Sequence, residues 1–204
     1  MKALLKKDIF CVLKSMKVFL LVIVLFAVIP GFSASSFAII YAAMLPLTAL
    51  AYDERSKWGQ LAAMLPYADR NIVLSKYLFG YLAIAVTAGI SMVIQTGLTL
   101  VWNQAADNLS PLSTIPLAMG VGVCVLALTL PLMFRFGVEK GRLVMFLLIF
   151  LVCGGTGAIT SITSDIPDGG SYLALALPGV AVAAIVLTAI SIPLSLRMYR
   201  RKRV

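Results

Sequence analysis

The chain reads as an all-α, polytopic membrane protein: six transmembrane helices in a single domain over residues 1–204. Three observations predict that class. Hydrophobic residues make up 61% of the 204 and charged residues 12%, far from the balance of a water-soluble domain. The seventeen Lys and Arg residues fall into four clusters, Lys2 to Lys17, Arg55 to Lys76, Arg135 to Arg142 and Arg197 to Arg203. Between consecutive clusters lies enough uncharged apolar sequence for two crossings, so a single threading returns every cluster to one face. The basic-loop rule makes that face cytoplasmic, with both termini on it. Its segments carry +12, the cations set against Asp8, Asp53, Glu54, Asp69 and Glu139. The outer loops hold Asp107, Asp165 and Asp168 and carry −3.

The elements follow in order. The N-terminal segment is expected to be an amphipathic helix lying along the cytoplasmic leaflet. Leu5, Ile9, Val12, Leu13 and Met16 line one helical face, while Lys2, Lys6, Lys7, Lys14 and Lys17 lie mostly off it. Val18 to Ala51 is 34 uncharged residues, too long for one ordinary helix, and Pro30-Gly31 divides it into a first and a second span. The first span is short unless it begins near Ile9, with Lys14 and Lys17 snorkelling. The third runs from Tyr77 to Trp102, the fourth from Ile115 to Phe134, the fifth from Leu143 to Ser161 and the sixth from Tyr172 to Leu196. Pro116 suits the first turn of the fourth span, and Pro131, one turn from its inner end, should kink it. Trp102 and Tyr172 fall at the outer boundary and Tyr52, Tyr77 and Tyr199 at the inner one, as amphipathic rings prefer.

Missing chemistry narrows the function. The chain has no histidine and no Gly-Lys pair, hence no phosphate loop with which to hydrolyse ATP. No Asp, Glu, Lys or Arg sits deep in a proposed span. Ion-coupled pumps retain such groups despite an insertion cost of about 2.5–3.5 kcal/mol, so that mechanism is disfavoured. No metal site or cofactor is expected in this chain, and Cys11, Cys124 and Cys153 show no paired spacing. The net charge of +9 does not imply nucleic acid, because the cations flank apolar spans, where topology and anionic lipid account for them. Membrane lipid is the expected partner there. Gln95, midway along the third span, suits either an interhelical hydrogen bond or a substrate contact.

Two inner segments carry the most information. In the first, Asp53 and Glu54 suit a helix N-terminus, and Trp58, Leu61, Ala62 and Leu65 recur at helical spacing as one apolar stripe. Pro66 stops that helix, and Asp69 caps another that runs through Arg70 and Lys76 into the third span. The short helix reads equally as an interfacial anchor or as a lever that inserts into a cleft of a soluble partner. The second segment, Pro131 to Arg142, is a tight charged turn containing Arg135, Gly137, Glu139 and Arg142.

Asp53-Glu54-Arg55-Ser56-Lys57-Trp58, followed by Leu65-Pro66, Arg70, Ile72-Val73 and Lys76-Tyr77-Leu78, resembles the small permeases of type-2 ATP-binding-cassette exporters. Phe134-Arg135-Phe136-Gly137, Glu139-Lys140 and Arg142 resemble the second inner loop of the same family. The resemblance implies a non-enzymatic, six-helix half-transporter in a bacterial plasma membrane. It implies pairing with a second copy or a related permease, and a separate ATPase that holds ATP and Mg. It implies that Asp53, Glu54, Arg55, Lys57, Trp58, Leu61 and Leu65 form the coupling helix that seats in the ATPase. It also implies amphipathic, membrane-active peptides as a cargo class. By the same resemblance the second and fifth spans face the pathway, making Phe37, Tyr41, Met44, Met145 and Phe150 candidate wall residues with Gln95. An alternative is a non-transporting immunity or sensing subunit on the same fold.

Overall fold

A computed structural model describes residues 2–15, 17–28, 32–64, 68–102, 111–137, 140–141, 143, 146–147, 150 and 169–203. Its helices are α1 (Lys2–Ser15), α2 (Lys17–Val28), α3 (Phe32–Ala42), α4 (Leu45–Arg55), α5 (Trp58–Met64), α6 (Asp69–Trp102), α7 (Pro111–Phe136) and α8 (Gly169–Arg203). Four stretches among the described residues are long and apolar enough to cross a membrane: Ser36–Arg55, Asp69–Gly97, Ile115–Phe136 and Leu177–Arg200. They correspond to the second, third, fourth and sixth expected spans. The expected fifth span falls largely outside the described residues. The expected first span is represented by α2, whose 12 residues measure only about 18 Å.

Local chemistry explains the breaks. α2 and α3 pack against each other, with the Phe26 and Phe37 rings 6.4 Å apart, so these two helices form a hairpin, as expected; Pro30 and Gly31 lie outside the described residues. The second expected span is interrupted between Ala42 and Leu45, where no break was expected. Pro46 lies in the first turn of α4 and has no N–H to continue α3. The Met44 N–H turns to the Tyr41 carbonyl (3.1 Å), and the Thr48 hydroxyl donates back to the Leu45 carbonyl (2.7 Å). By contrast α6 is one helix of 34 residues, about 51 Å long. It exceeds a hydrocarbon core of about 30 Å, so its first turns, with Asp69 and Arg70, reach beyond the apolar layer.

Helix α7 forms the centre of the bundle, packing most extensively on α8 and also on α6 and α3. Its Leu126 and Leu130 are fully buried with Ile39, Val73, Tyr77 and Ile84. Gly80 marks the tightest junction: a Cβ there would stand 2.6 Å from a Leu126 methyl and 2.9 Å from the Pro46 ring. Only a bare backbone lets α4, α6 and α7 meet at that point.

At Pro131 a neighbouring helix repairs the backbone. The α-helix continues through Pro131 to Phe136, although the missing N–H leaves the Ala127 carbonyl without its usual partner. The Ser191 hydroxyl of α8 donates to that carbonyl. Ser191 has only one proton to give, so its contact with the Tyr77 hydroxyl is donated by Tyr77. Tyr77 in turn accepts from Ser195 at 2.7 Å. The result is a buried hydroxyl seam joining α6, α7 and α8, extended by Tyr81 to Thr188 at 3.2 Å. Tyr77, 1% exposed, is therefore not the interfacial ring its position suggested. Pro111, at the first position of α7, takes the N-terminal role expected of Pro116.

Ser191→Ala is expected to destabilise the protein by about 1–2 kcal/mol by stranding the Ala127 carbonyl and the Tyr77 hydroxyl. The loss should shrink in a Pro131→Ala background, where residue 131 again offers its own N–H. A double-mutant cycle of unfolding free energies in detergent measures the coupling.

Candidate functional site

One end of the bundle gathers four charges into a closed cluster. Lys7 and Asp8 come from the second turn of α1, Asp53 from the last turn of α4, and Lys76 from the second turn of α6. Lys7 Nζ donates to Asp53 Oδ1 at 2.6 Å, and Lys76 Nζ to Asp53 Oδ2 at 2.6 Å and Asp8 Oδ1 at 2.7 Å. Lys7 also stands 3.4 Å from Asp8 Oδ1. Asp8 and Lys76 are 1% and 2% exposed. Two cations against two carboxylates leave the cluster formally neutral, the condition under which charges tolerate such burial. Asp53 sits at a helix C-terminus, where the dipole disfavours a carboxylate. The two ammonium groups at 2.6 Å offset this.

This arrangement revises the expected face of the N-terminal helix. Leu4, Asp8 and Val12, spaced by four, are its buried residues, whereas Leu13, assigned to the apolar face, is exposed together with Phe10. The packed stripe therefore contains a carboxylate, which α6 answers with Lys76.

The expected single helix from Asp53 to Leu65 is divided. Asp53, Glu54 and Arg55 end α4, with Ser56 N bonded to the Tyr52 carbonyl at 2.9 Å. Lys57 then takes a left-handed conformation (φ 52) and α5 begins at Trp58. The acidic pair thus closes one helix and does not open the next. Long-range lysines, invisible to a local capping pattern, supply the partners Asp53 needs. Leu65 lies outside the described residues.

α5 is two-faced. Ala62 is fully buried in a small cluster with Leu4 and Ile72, edged by Trp58 and Tyr199. Trp58 is half-buried and its ring lies 4.1 Å beneath Lys7 Nζ, a cation–π contact. The other side carries Lys57, Gln60, Leu61 and Met64, all exposed, Met64 by 86%. Trp58 and Leu61, read as one stripe, thus face different ways. Glu54 and Arg55 are exposed beside this surface.

The second inner segment also meets this end. Phe134 packs edge-on against Tyr199 at 5.7 Å, bringing the ends of α7 and α8 beside the α5 cluster. Gly137 follows the last residue of α7 with φ 81, and its N–H caps the Met133 carbonyl at 3.0 Å. A left-handed residue after a helix favours glycine. Arg135 is exposed, 5.2 Å from the Phe136 ring; Glu139 and Arg142 lie outside the described residues. Residues from all four basic clusters therefore stand at one end of the bundle.

The pathway candidates are not gathered into one place. Tyr41 and Met44 share a cluster with Leu47 and Met133, in which Met44 is buried. Phe37 and Phe150 are exposed, Gln95 is a half-buried residue of α6, and Met145 lies outside the described residues. Among the described residues no group of three His, Cys, Asp or Glu side chains is placed to hold a metal ion. Sequence reasoning passed over Asp8, Lys7 and Lys76 as site residues. The available signal was Asp8 itself, the one acid among five N-terminal cations, spaced by four from Leu4 and Val12.

The fold and this charged end define a multi-pass membrane component with no catalytic apparatus of its own among the described residues. A family model for the ABC-2 family transporter protein matches residues 3–200, and the chain belongs to that family. No curated protein and no solved structure matches it. The protein is thus a permease of the ABC-2 transporter class, whose members are membrane components that work with an ABC ATPase subunit.

Lys76→Met is expected to cost about 3–5 kcal/mol, because Asp8 stays buried without its principal partner. Adding Asp8→Leu should recover most of that loss, since the Lys7–Asp53 pair remains neutral. Unfolding midpoints of the single and double variants in detergent check both signs.

Proposed function

We propose that this chain is the permease half of an ATP-driven exporter and that α5 is the helix by which it engages a separate ATPase. The supporting observation is the two-faced character of α5: one side is pinned by Ala62 and by the Lys7–Trp58 contact, while the other presents Lys57, Gln60, Leu61 and Met64 outward. An anchor dissolved in lipid would have its most apolar side free. Here the aromatic side chain faces the protein instead, and a compact knob of Leu61 and Met64 ringed by polar groups is what a cleft in a soluble subunit would receive. Each of these side chains contributes about 1.5–3 kcal/mol when fully buried, enough to anchor an interface.

In this reading the chain crosses the membrane six times, α2 supplying the first crossing and residues 143–161 the fifth. The basic end faces the cytoplasm of a bacterial cell, with α1 along the inner leaflet and both termini inside. Two permease copies, or two related chains, enclose the pathway, and amphipathic peptides are the cargo class. ATP and Mg reside on the partner, and this chain carries no cofactor. Closure of the ATPase pair displaces α5, and the permeases convert that displacement into a tilt of their spans. The chain contributes by contacting the ATPase differently in its two states.

The test is co-purification of the tagged permease with an ABC ATPase from the same cell. Leu61→Asp/Met64→Asp is expected to reduce recovery of the ATPase tenfold or more while leaving the permease folded. Unchanged recovery would remove α5 as the docking element.

A further inference from the structure

We propose that Lys7 is the positioning residue of α5, and that with Asp8, Asp53 and Lys76 it forms an electrostatic clamp. Through this clamp a displacement of α5 reaches the second and third spans together. The transmitting role rests on the reading of α5 as the docking helix; the clamp itself does not.

Apart from Lys7 and the contacts of Ala62, little holds α5 in orientation. It has seven residues, below the length at which a helix persists without tertiary contacts. Its covalent link to α4 is a turn through the left-handed Lys57. Such a turn does not pass a push on α5 to α4 as a continuous helix would. Coupling requires a non-covalent brace to both neighbouring spans.

The cluster supplies that brace. A single atom, Lys7 Nζ, reaches three elements: the Trp58 ring of α5 at 4.1 Å, Asp53 of α4 at 2.6 Å and Asp8 of α1 at 3.4 Å. Lys76 carries the connection to α6 through the same two carboxylates. Asp53 is the shared node, one oxygen bound to each lysine. The circuit α5–α1–α4–α6 therefore closes through two ammonium and two carboxylate groups. Opening the Asp8–Lys76 link separates charges with almost no water to replace the lost partner, since both are almost wholly enclosed, and opening the half-buried Lys7–Asp53 link gives up a 2.6 Å ion pair. Moving the four elements as one body avoids that separation. The apolar contact of Ala62 with Leu4 and Ile72 fixes the distance between α5 and the brace, but it is not directional. Lys7 supplies the orientation.

The test compares the wild-type permease in lipid nanodiscs with Lys7→Met/Asp53→Asn and with Lys7→Arg, by amide hydrogen exchange. The double variant is neutral overall and keeps the Asp8–Lys76 pair, so the bundle is expected to stay folded. Exchange across residues 58–64 should accelerate tenfold or more, with α6, α7 and α8 unchanged. Lys7→Arg keeps a cation over Trp58 and should stay within twofold of wild type. Unchanged exchange at 58–64 in the double variant overturns the proposal. So does an equal acceleration throughout α6 to α8, which would mean these residues hold the fold and not the helix. A second arm adds the ATPase and traps it with ATP and vanadate. In wild type the exchange of α5 should change together with residues 50–55 and 69–76; in the double variant α5 should respond without them. Equal responses of those segments in both proteins overturn the transmitting role. If α5 of the wild type ignores the ATPase, the docking reading fails while the first arm still decides the clamp.

Discussion

Gathering two lysines and two aspartates at one end of an apolar bundle, Asp8 and Lys76 buried and Lys7 and Asp53 half-buried, limits how that end is built. Each charge gives up water, and only a partner within hydrogen-bond distance compensates. Asp8 obliges α1 to pack against α6, because Lys76 is there. Asp53 holds the last turn of α4 against both, in spite of an unfavourable helix dipole. Lys7 closes the figure and brings Trp58 beneath it. The placement of α1, the end of the second span, α5 and the start of the third span is thus one electrostatic solution. The apolar contacts around Ala62 fill in that arrangement.

The opposite device operates within the spans. There the chain uses neutral hydroxyls in place of charges, and it uses them where proline has opened the backbone. Ser191 completes the Ala127 carbonyl that Pro131 left unpaired, Tyr77 donates to Ser191, and Ser195 donates to Tyr77. Pro131 is therefore the point where α8 is tied to α7 and α6. The two polar systems share α6: Lys76 belongs to the charge cluster and Tyr77, its neighbour, to the hydroxyl seam. Consecutive residues on a helix point about 100° apart, so α6 faces α1 and α4 with one and α8 with the other.

Composition and spacing disclosed the membrane class, the hairpin of α2 and α3, and the continuous helix from Asp69 into the span that follows. These follow from mean hydropathy, breakers and charge position, which are local properties. What escaped was non-local. Asp8 and Lys76 looked like members of basic segments whose cations topology already explained, and nothing in either segment reports that the other lies 2.7 Å away. Asp53-Glu54 matched a helix start because the matching rule considers nearby amides, whereas the partners that fix Asp53 are 46 and 23 residues distant. The stripe Trp58–Leu61–Ala62 was periodic in the expected way. Its inward side, however, was decided by Lys7 and Leu4, which no periodicity within α5 encodes. Pro46 went unread because a long apolar stretch hides a break that costs no polarity.

In the proposed mechanism the exposed side of α5 receives force and the four charges behind it pass this on without coming apart. The most direct measurement is an experimental structure of the permease bound to its ATPase, in nucleotide-free and nucleotide-trapped states. The account predicts Leu61 and Met64 inside a cleft of the ATPase in both states. It also predicts Lys7 over Trp58, and each lysine within about 4 Å of Asp53 while the spans change tilt. An ATPase seated elsewhere, or a cluster that separates between the two states, would contradict it.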